Sequence, residues 1–234
     1  MTALNRVAVG SRTSPLSRAQ TEEILCPLRT HYPDKDFVIV PITTGGDKHK
    51  NAPLLSMARG MFVKEIELAL LKGEIDFAVH SAKDLPATLP EGLTIGAFGE
   101  RIDPRDVLVN RWSLPLMEIP PGARLGTGSP RRTAQLKAAR PDIELLPIRG
   151  NVGTRIDKAR SDDYDGVILA AAGLIRLDRQ GEISEYLSPE VCTPEVGQGA
   201  LAVEARAGDS ETLEMLGGES HGPTSVAVVS ERAF

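Results

Sequence analysis

The chain has 234 residues, 41% hydrophobic and 25% charged, a globular composition that excludes disorder as the main state and leaves room for two small domains. Lys and Arg number 27 against 32 Asp and Glu, a net charge of −5, which argues against nucleic acid as a partner because such binders carry a basic face. No apolar run approaches the roughly 18–20 residues of a membrane span, and Met1–Arg6 carries no signal-peptide pattern, so a cytoplasmic protein with no membrane partner is expected.

The first half alternates strand and helix patterns. Arg6–Gly10 is a short β-branched run, followed by Ser14–Thr30 with apolar residues at helical spacing (Leu16, Ala19, Ile24, Leu28) behind an N-cap Ser14 and Pro15 at the first helical position. Cys26 falls on that helix and is expected to be a small core residue. Phe37–Ile42 is a continuous apolar run, as in a strand buried on both faces. Met61–Leu71 reads as a helix ended by Lys72-Gly73, and Ile75–His80 and Leu93–Phe98 read as strands. This β-α-β-α-β order implies a largely parallel sheet with helices on both faces.

The second half repeats the scheme. Asp106–Asn110, Arg124–Thr127, Ile143–Ile148 and Gly166–Ala170 are strand-like; Ser129–Arg140 and Asn151–Arg160 are helical, and Ala171–Arg176 is a helical turn. The Pro-rich segment Leu114–Pro121 reads as an outer loop. Ala200–Ala205 is strand-like, and Asp209–Leu216 and Pro223–Phe234 are helical, the last without a stop signal, so further sequence is expected beyond it. Ser14-Pro15-Leu16-Ser17-Arg18-Ala19-Gln20 is echoed 115 residues later by Ser129-Pro130-Arg131-Arg132-Thr133-Ala134-Gln135. The echo is either chance plus ordinary capping or the trace of two similar lobes, which periodicity would place in tandem.

Basic residues collect where strands give way to helices: Arg12, Lys83, Arg131, Arg132, Arg149 and Arg155. In an open parallel sheet these turns line the ligand crevice. Thr127-Gly128-Ser129-Pro130-Arg131-Arg132 and Arg149-Gly150-Asn151-Val152-Gly153-Thr154-Arg155 add hydroxyls and free helix-terminal N–H groups. The set points to a small polyanion with several carboxylates or phosphates; each arginine alone reads better as a solvated helix-start charge. In His80-Ser81-Ala82-Lys83-Asp84-Leu85-Pro86, Asp84 is either a charge-stabilising carboxylate or a turn residue before Leu-Pro. Val196-Gly197-Gln198-Gly199-Ala200 is a Gly-rich approach to a strand. His31, His49 and His221 share no spacing with other ligand types, and Cys26 and Cys192 fit neither a zinc motif nor a disulfide framework, so no metal is expected.

Taken in order, Arg12–Leu16, Phe62–Glu65, His80–Pro86, Asp103–Asp106, Gly126–Arg132, Arg149–Arg155, Leu169–Leu174 and Val196–Ala200 resemble the porphobilinogen deaminase family over nearly the whole chain. The resemblance implies an α/β fold of two lobes with mainly parallel mixed sheets, like a type II periplasmic binding protein, with the ligand cleft between the lobes. It implies lobe one as residues 1–99 plus 200–234, lobe two as 100–199, and a third, C-terminal domain that this sequence lacks. It implies an enzyme, active as a monomer, that joins four porphobilinogen molecules into hydroxymethylbilane with loss of ammonia. The chain grows on a dipyrromethane cofactor attached through a cysteine. The carboxylate matching Asp84 would steady the azafulvene cation left when ammonia departs. Arg12, Ser14, Lys83, Thr127, Ser129, Arg131, Arg132, Arg149, Gly150, Arg155 and Gln198 would bind the carboxylates of substrate and cofactor. Arg59 and Phe62 would belong to a lid loop, altered here to Met57-Ala58-Arg59-Gly60 with Leu55 where the family has a lysine. Ala82 stands where the family often has Met. Neither cysteine matches the cofactor-bearing motif, Cys192 being the nearer substitute because it lies by a loop, so the sequence as it stands is expected not to turn over porphobilinogen. The competing reading is a non-catalytic two-lobe protein that binds a polycarboxylate pyrrole or another small polyanion.

Overall fold

The computed structural model of the chain describes residues 5–45 and 63–233; Arg59 and Phe62 of the expected lid, Leu55 and His49 lie outside them. In chain order the elements are β1 (Asn5–Arg12), α1 (Pro15–His31), β2 (Lys35–Ile42), α2 (Lys64–Leu71), β3 (Phe77–Ser81) and β4 (Leu93–Phe98). There follow β5 (Asp106–Asn110), β6 (Arg124–Gly126), α3 (Pro130–Ala139), β7 (Glu144–Leu146), α4 (Val152–Lys158), β8 (Gly166–Ala170), α5 (Ala171–Ile175) and β9 (Glu185–Tyr186). The chain ends with β10 (Leu201–Arg206), α6 (Ser210–Gly217) and α7 (Gly222–Ala233). Among the described residues no helix is long and apolar enough to cross a membrane.

Two compact units result, one of Met1–Arg101 with Ala200–Phe234 and the other of Ile102–Gly199. The tandem arrangement read from periodicity is therefore corrected. Strand β10 returns to the first sheet, whose order is β2-β1-β3-β10-β4. There it runs antiparallel between β3 and β4, while β1 is parallel to β2 and β3. The second sheet has the order β7-β6-β8-β5-β9, with β6 parallel to β7 and β8, and β5 antiparallel to β8 and β9. The two sheets thus share one topology, with β6 in the place of β1 and β5 in the place of β10. The internal echo falls on equivalent elements, the N-termini of α1 and α3, each following the corresponding parallel strand.

Both faces of the second sheet are covered, which is why its strands read as unbroken apolar runs. Leu108, Leu125 and Ile168 point into one cluster with Leu136 and Ile143. Val107, Val109, Val167 and Leu169 point into the other with Ile148 and Leu174. The Pro-rich segment, read as an outer loop, contributes Leu116 and Ile119 to the first of these clusters. In the first unit Val9, Phe77, Leu201 and Val203 pack with Leu25 and Leu28 of α1, and the rings of Phe37 and Phe77 meet edge to face at 6.4 Å.

Two expectations about this unit change. Strand β2 is an edge strand, with Val38, Ile39 and Val40 only partly buried; an apolar run does not distinguish a central strand from an edge lying under a helix. Helix α1 buries Ser17, Gln20, Thr21, Leu25 and Leu28, a stripe whose first half is polar. That rotation leaves Cys26 exposed, where the apolar periodicity places it in the core.

The junction into β10 depends on backbone that only glycine adopts readily. Gly199 has φ = 90°, and a Cβ there would lie 2.4 Å from the Ile102 carbonyl oxygen. Gly199→Ala is therefore expected to destabilise the protein by about 2 kcal/mol or more. Gly217→Ala, at a helical position with open space around it, is expected to be neutral or stabilising. Thermal melts of the two variants check this.

Candidate functional site

In the first unit the turn between β1 and α1 is built by hydroxyls. Ser14 caps α1, its side chain accepting from the Ser17 amide at 3.1 Å, with Pro15 at the first helical position. Ser17 Oγ lies 3.0 Å from Ser11 Oγ and accepts from the Arg12 amide at 3.1 Å. Thr21 Oγ1 lies 2.9 Å from Ser11 Oγ. Gln20 Nε2 donates to Ser81 Oγ at 2.8 Å, tying this turn to the end of β3. Ser17, Gln20 and Thr21 form the buried polar stripe of α1, and of this network sequence reasoning singled out only Arg12 and Ser14 as site residues. The signal was present: Ser17, Gln20 and Thr21 share one helical face, but an apolar template discards them.

Beyond Ser81 the chain makes a single 3₁₀ turn, Ala82–Asp84. Ala82 and Leu85 are buried on either side of Lys83-Asp84, and the Ala82 amide bonds the Ala200 carbonyl at 3.0 Å. The turn is anchored while Asp84 is held outward. Its carboxylate is exposed and accepts no hydrogen bond among the described residues. Asp84 borders a hollow of about 60 Å³ with Arg12, Ser14, Gln20 and Ser81. Arg12, which lines the same hollow, and Lys83, the preceding residue, are both partly buried. Beneath, on the same strand, His80 Nε2 stands 3.2 Å from Glu204 Oε2 of β10, both side chains sealed from water. Glu67 of α2 is also buried, and burial, reinforced by the charge of Glu204, raises its pKa against the opposing pull of His80.

In the second unit Ser129 caps α3, accepting from the Arg132 amide at 3.4 Å, with Pro130 at the first helical position. Thr127 is buried, and its hydroxyl accepts from the Ser129 amide at 3.3 Å. At α4, Asn151 accepts from the Thr154 amide at 2.9 Å. Gly150 takes φ = 123°, which frees its carbonyl to accept from Arg155 Nε at 2.7 Å. Arg149 and Arg155 are both partly buried.

Arg131, Arg132 and Gln198 are arranged differently from a set of open ligand-binding groups. All three direct donors to Asp106, the fully buried first residue of β5. Asp106 Oδ1 accepts from Arg132 Nη2 at 2.7 Å, Arg132 Nε at 3.1 Å and Gln198 Nε2 at 2.8 Å. Asp106 Oδ2 accepts from Arg131 Nη2 at 2.7 Å and from the Cys192 thiol at 3.3 Å. Arg132 is itself 7% exposed and also donates to the Ile168 carbonyl at 3.2 Å. Burial alone would raise the pKa of Asp106; the charges and hydrogen bonds of Arg132 and Arg131 more than reverse this and leave it below the ordinary carboxylate value. The sequence signal for Asp106 was a carboxylate opening an apolar strand, which demands a buried partner. Cys192 is buried, not open at a loop, and burial followed by the charge of Asp106 pushes its thiol up to about 11. The two cysteines therefore exchange the environments that the sequence predicts. Among the described residues no group of three or more His, Cys, Asp or Glu could hold a metal ion.

The fold, two α/β units each built on a mixed five-stranded sheet, is shared with solved proteins. The chain superposes on the methionine-binding protein MetQ (TM-score 0.55, 11% identity, 99% of this chain and 96% of that one). It also superposes on lipoprotein Tp32 from Treponema pallidum (TM-score 0.56, 13% identity, 99% and 97%). Sequence narrows the class: residues 7–214 match the model of the porphobilinogen deaminase dipyrromethane cofactor binding domain. The porphobilinogen deaminase of Brevibacillus brevis is 48% identical over 97% of this chain and 74% of its own length. That of Bacillus subtilis is 47% identical over 99% and 74%. The chain belongs to the porphobilinogen deaminase family, whose members are transferases.

Two predictions come from the Asp106 cluster. With the native protein, a thiol reagent near pH 8 is expected to label Cys26 only, and Cys26→Ser is expected to remain unlabelled until denatured; mass spectrometry of the labelled chains checks this. Asp106→Ala strands two guanidinium groups and is expected to cost about 3–5 kcal/mol. Because the folded pKa of Asp106 is depressed, its stabilisation is full above the unfolded value near 4 and is lost as pH falls through the folded one. The variant should accordingly lose less stability than wild type on acidification, as measured by denaturant titrations between neutral pH and pH 3.

Proposed function

We propose that this chain binds porphobilinogen and the dipyrromethane primer for the family's reaction, the joining of four units into hydroxymethylbilane with release of ammonia, and that without a cysteine suited to anchor the primer it does not by itself sustain turnover. The observation that carries the proposal is the state of Asp84, an exposed and unengaged carboxylate on a turn anchored at both ends. A carboxylate so held can accept pyrrole N–H groups and stabilise positive charge that develops as ammonia leaves. Fixed charge of this kind does not need to reorganise during the reaction.

The residues fit a dipyrromethane, which needs acceptors for ring N–H groups and cations for its acetate and propionate side chains. When bound, that group supplies the primer to which substrate units are added. In the first unit Arg12, Ser14 and Lys83 would hold carboxylates near Asp84. In the second, Thr127, Ser129, Arg131, Arg149, Gly150 and Arg155 would do so. Arg132 and Gln198, whose donors turn to Asp106, would act through that carboxylate. Neither cysteine suits a covalent anchor, since Cys192 is buried with its proton retained and Cys26 lies on the outer face of α1. No metal enters the scheme. Arg59 and Phe62 are assigned to a lid by resemblance alone, and the protein is taken to act as a monomer in the cytoplasm.

Ammonia release from porphobilinogen tests the assignment. In the chain extended by a family C-terminal segment that carries the anchoring cysteine, Asp84→Asn keeps the shape and removes the charge, so turnover should fall about 10²–10³-fold while binding measured by calorimetry changes little. Turnover within a few-fold of wild type would remove Asp84 from the chemistry.

A further inference from the structure

Arg131 is held on all of its edges. Nη2 donates to the buried Asp106 at 2.7 Å, and Nη1 donates to the Thr193 carbonyl and lies 3.5 Å from Cys192 Sγ. Nε donates to Glu195 Oε2 at 3.3 Å. Of these partners Glu195 alone is a carboxylate open to water, with its side chain 38% exposed against 0% for Asp106. Its bond to Arg131 is also the longer of the guanidinium's two carboxylate contacts.

Glu195 is not a wandering surface charge. Its loop is stapled on both sides to the same cluster: Cys192 and Gln198 each donate to Asp106, and the Thr193 amide donates to Gln135 Oε1 at 2.9 Å. The Glu195 carbonyl accepts from the Gln198 amide at 2.9 Å, closing a turn. Charge balances within the cluster, since Arg131 and Arg132 face Asp106 and Glu195. An incoming carboxylate that seeks Arg131 meets a guanidinium whose outer edge is already neutralised, whereas the inner edge cannot be released without stranding buried charge.

We propose that Glu195 is a specificity-determining residue: it occupies the solvent edge of Arg131 as an internal stand-in and is displaced by a carboxylate of the bound pyrrole chain. The inference rests on the proposed role of Arg131 in carboxylate binding. Glu195 then raises the threshold for ligands, so that a polycarboxylate that engages several cations exchanges it and a lone carboxylate does not.

Calorimetry with mellitate, a benzene ring bearing only carboxylates, tests this on wild type, Glu195→Gln, Glu195→Ala and Arg131→Ala. Removing an exposed competing charge is expected to tighten binding about two- to fivefold. Glu195→Ala should exceed Glu195→Gln, which keeps an acceptor, and both should show unchanged melting temperatures. A merely structural Glu195 would give the opposite sign, because loosening the loop weakens the site. In an Arg131→Ala background Glu195→Ala should have no further effect. Weaker binding by Arg131→Ala with unchanged or weakened binding by Glu195→Ala would overturn the inference while leaving the site intact. Unchanged binding by Arg131→Ala, or no binding by any of the proteins, would overturn the site reading and this inference with it.

Discussion

A carboxylate removed from water remains ionised only where donors and opposite charge replace its hydration. Asp106 meets that condition with five donors from four side chains, and the layout of the second unit follows from how they are supplied. Arg131 and Arg132 must come from the first turn of α3, which fixes the entry of that helix beside β5. Cys192 and Gln198 must come from the segment that leads into β10, which holds that segment against the second unit. One side chain thus sets the positions of a strand, a helix terminus and a loop, and orients the arginines assigned to ligand binding.

The first unit, with the same sheet topology, solves the equivalent problem without buried charge at that point. At the β1–α1 turn the place of the arginine cluster is taken by Ser11, Ser17 and Thr21, with Gln20 reaching Ser81. Hydroxyls can serve both as donors and as acceptors, so they close a network without a counter-ion. The consequence is chemical. The first unit keeps its carboxylate, Asp84, facing outward and unengaged, whereas the second spends its carboxylate inward on holding cations. Its buried titratable side chains lie deeper, where His80, Glu204 and Glu67 meet between β3, β10 and α2.

Much of this was legible in the chain itself. The caps at Ser14, Ser129 and Asn151, the helix-opening prolines and the apolar runs of β3, β5 and β8 are local signals, written in residues a few positions apart. The clustering of basic residues at strand-to-helix turns and the Asp84 motif were equally local, and the ordered motifs sufficed for the family. What the sequence could not convey was partnership across distance. Whether β10 would pair in the first sheet or extend the second depends on which neighbour completes its hydrogen bonds, and its own residues are silent on that. The environments of Cys26 and Cys192 were reversed because burial on α1 follows a polar stripe, and because a loop can be drawn inside by a buried acceptor. Arg131 and Arg132 read as open anion receptors until Asp106, about 25 residues away in the chain, was found to satisfy them. Short-range chemistry determined the elements and the kinds of group at the site; only tertiary structure decided which charges face one another, because ion pairing and burial are properties of neighbours in space.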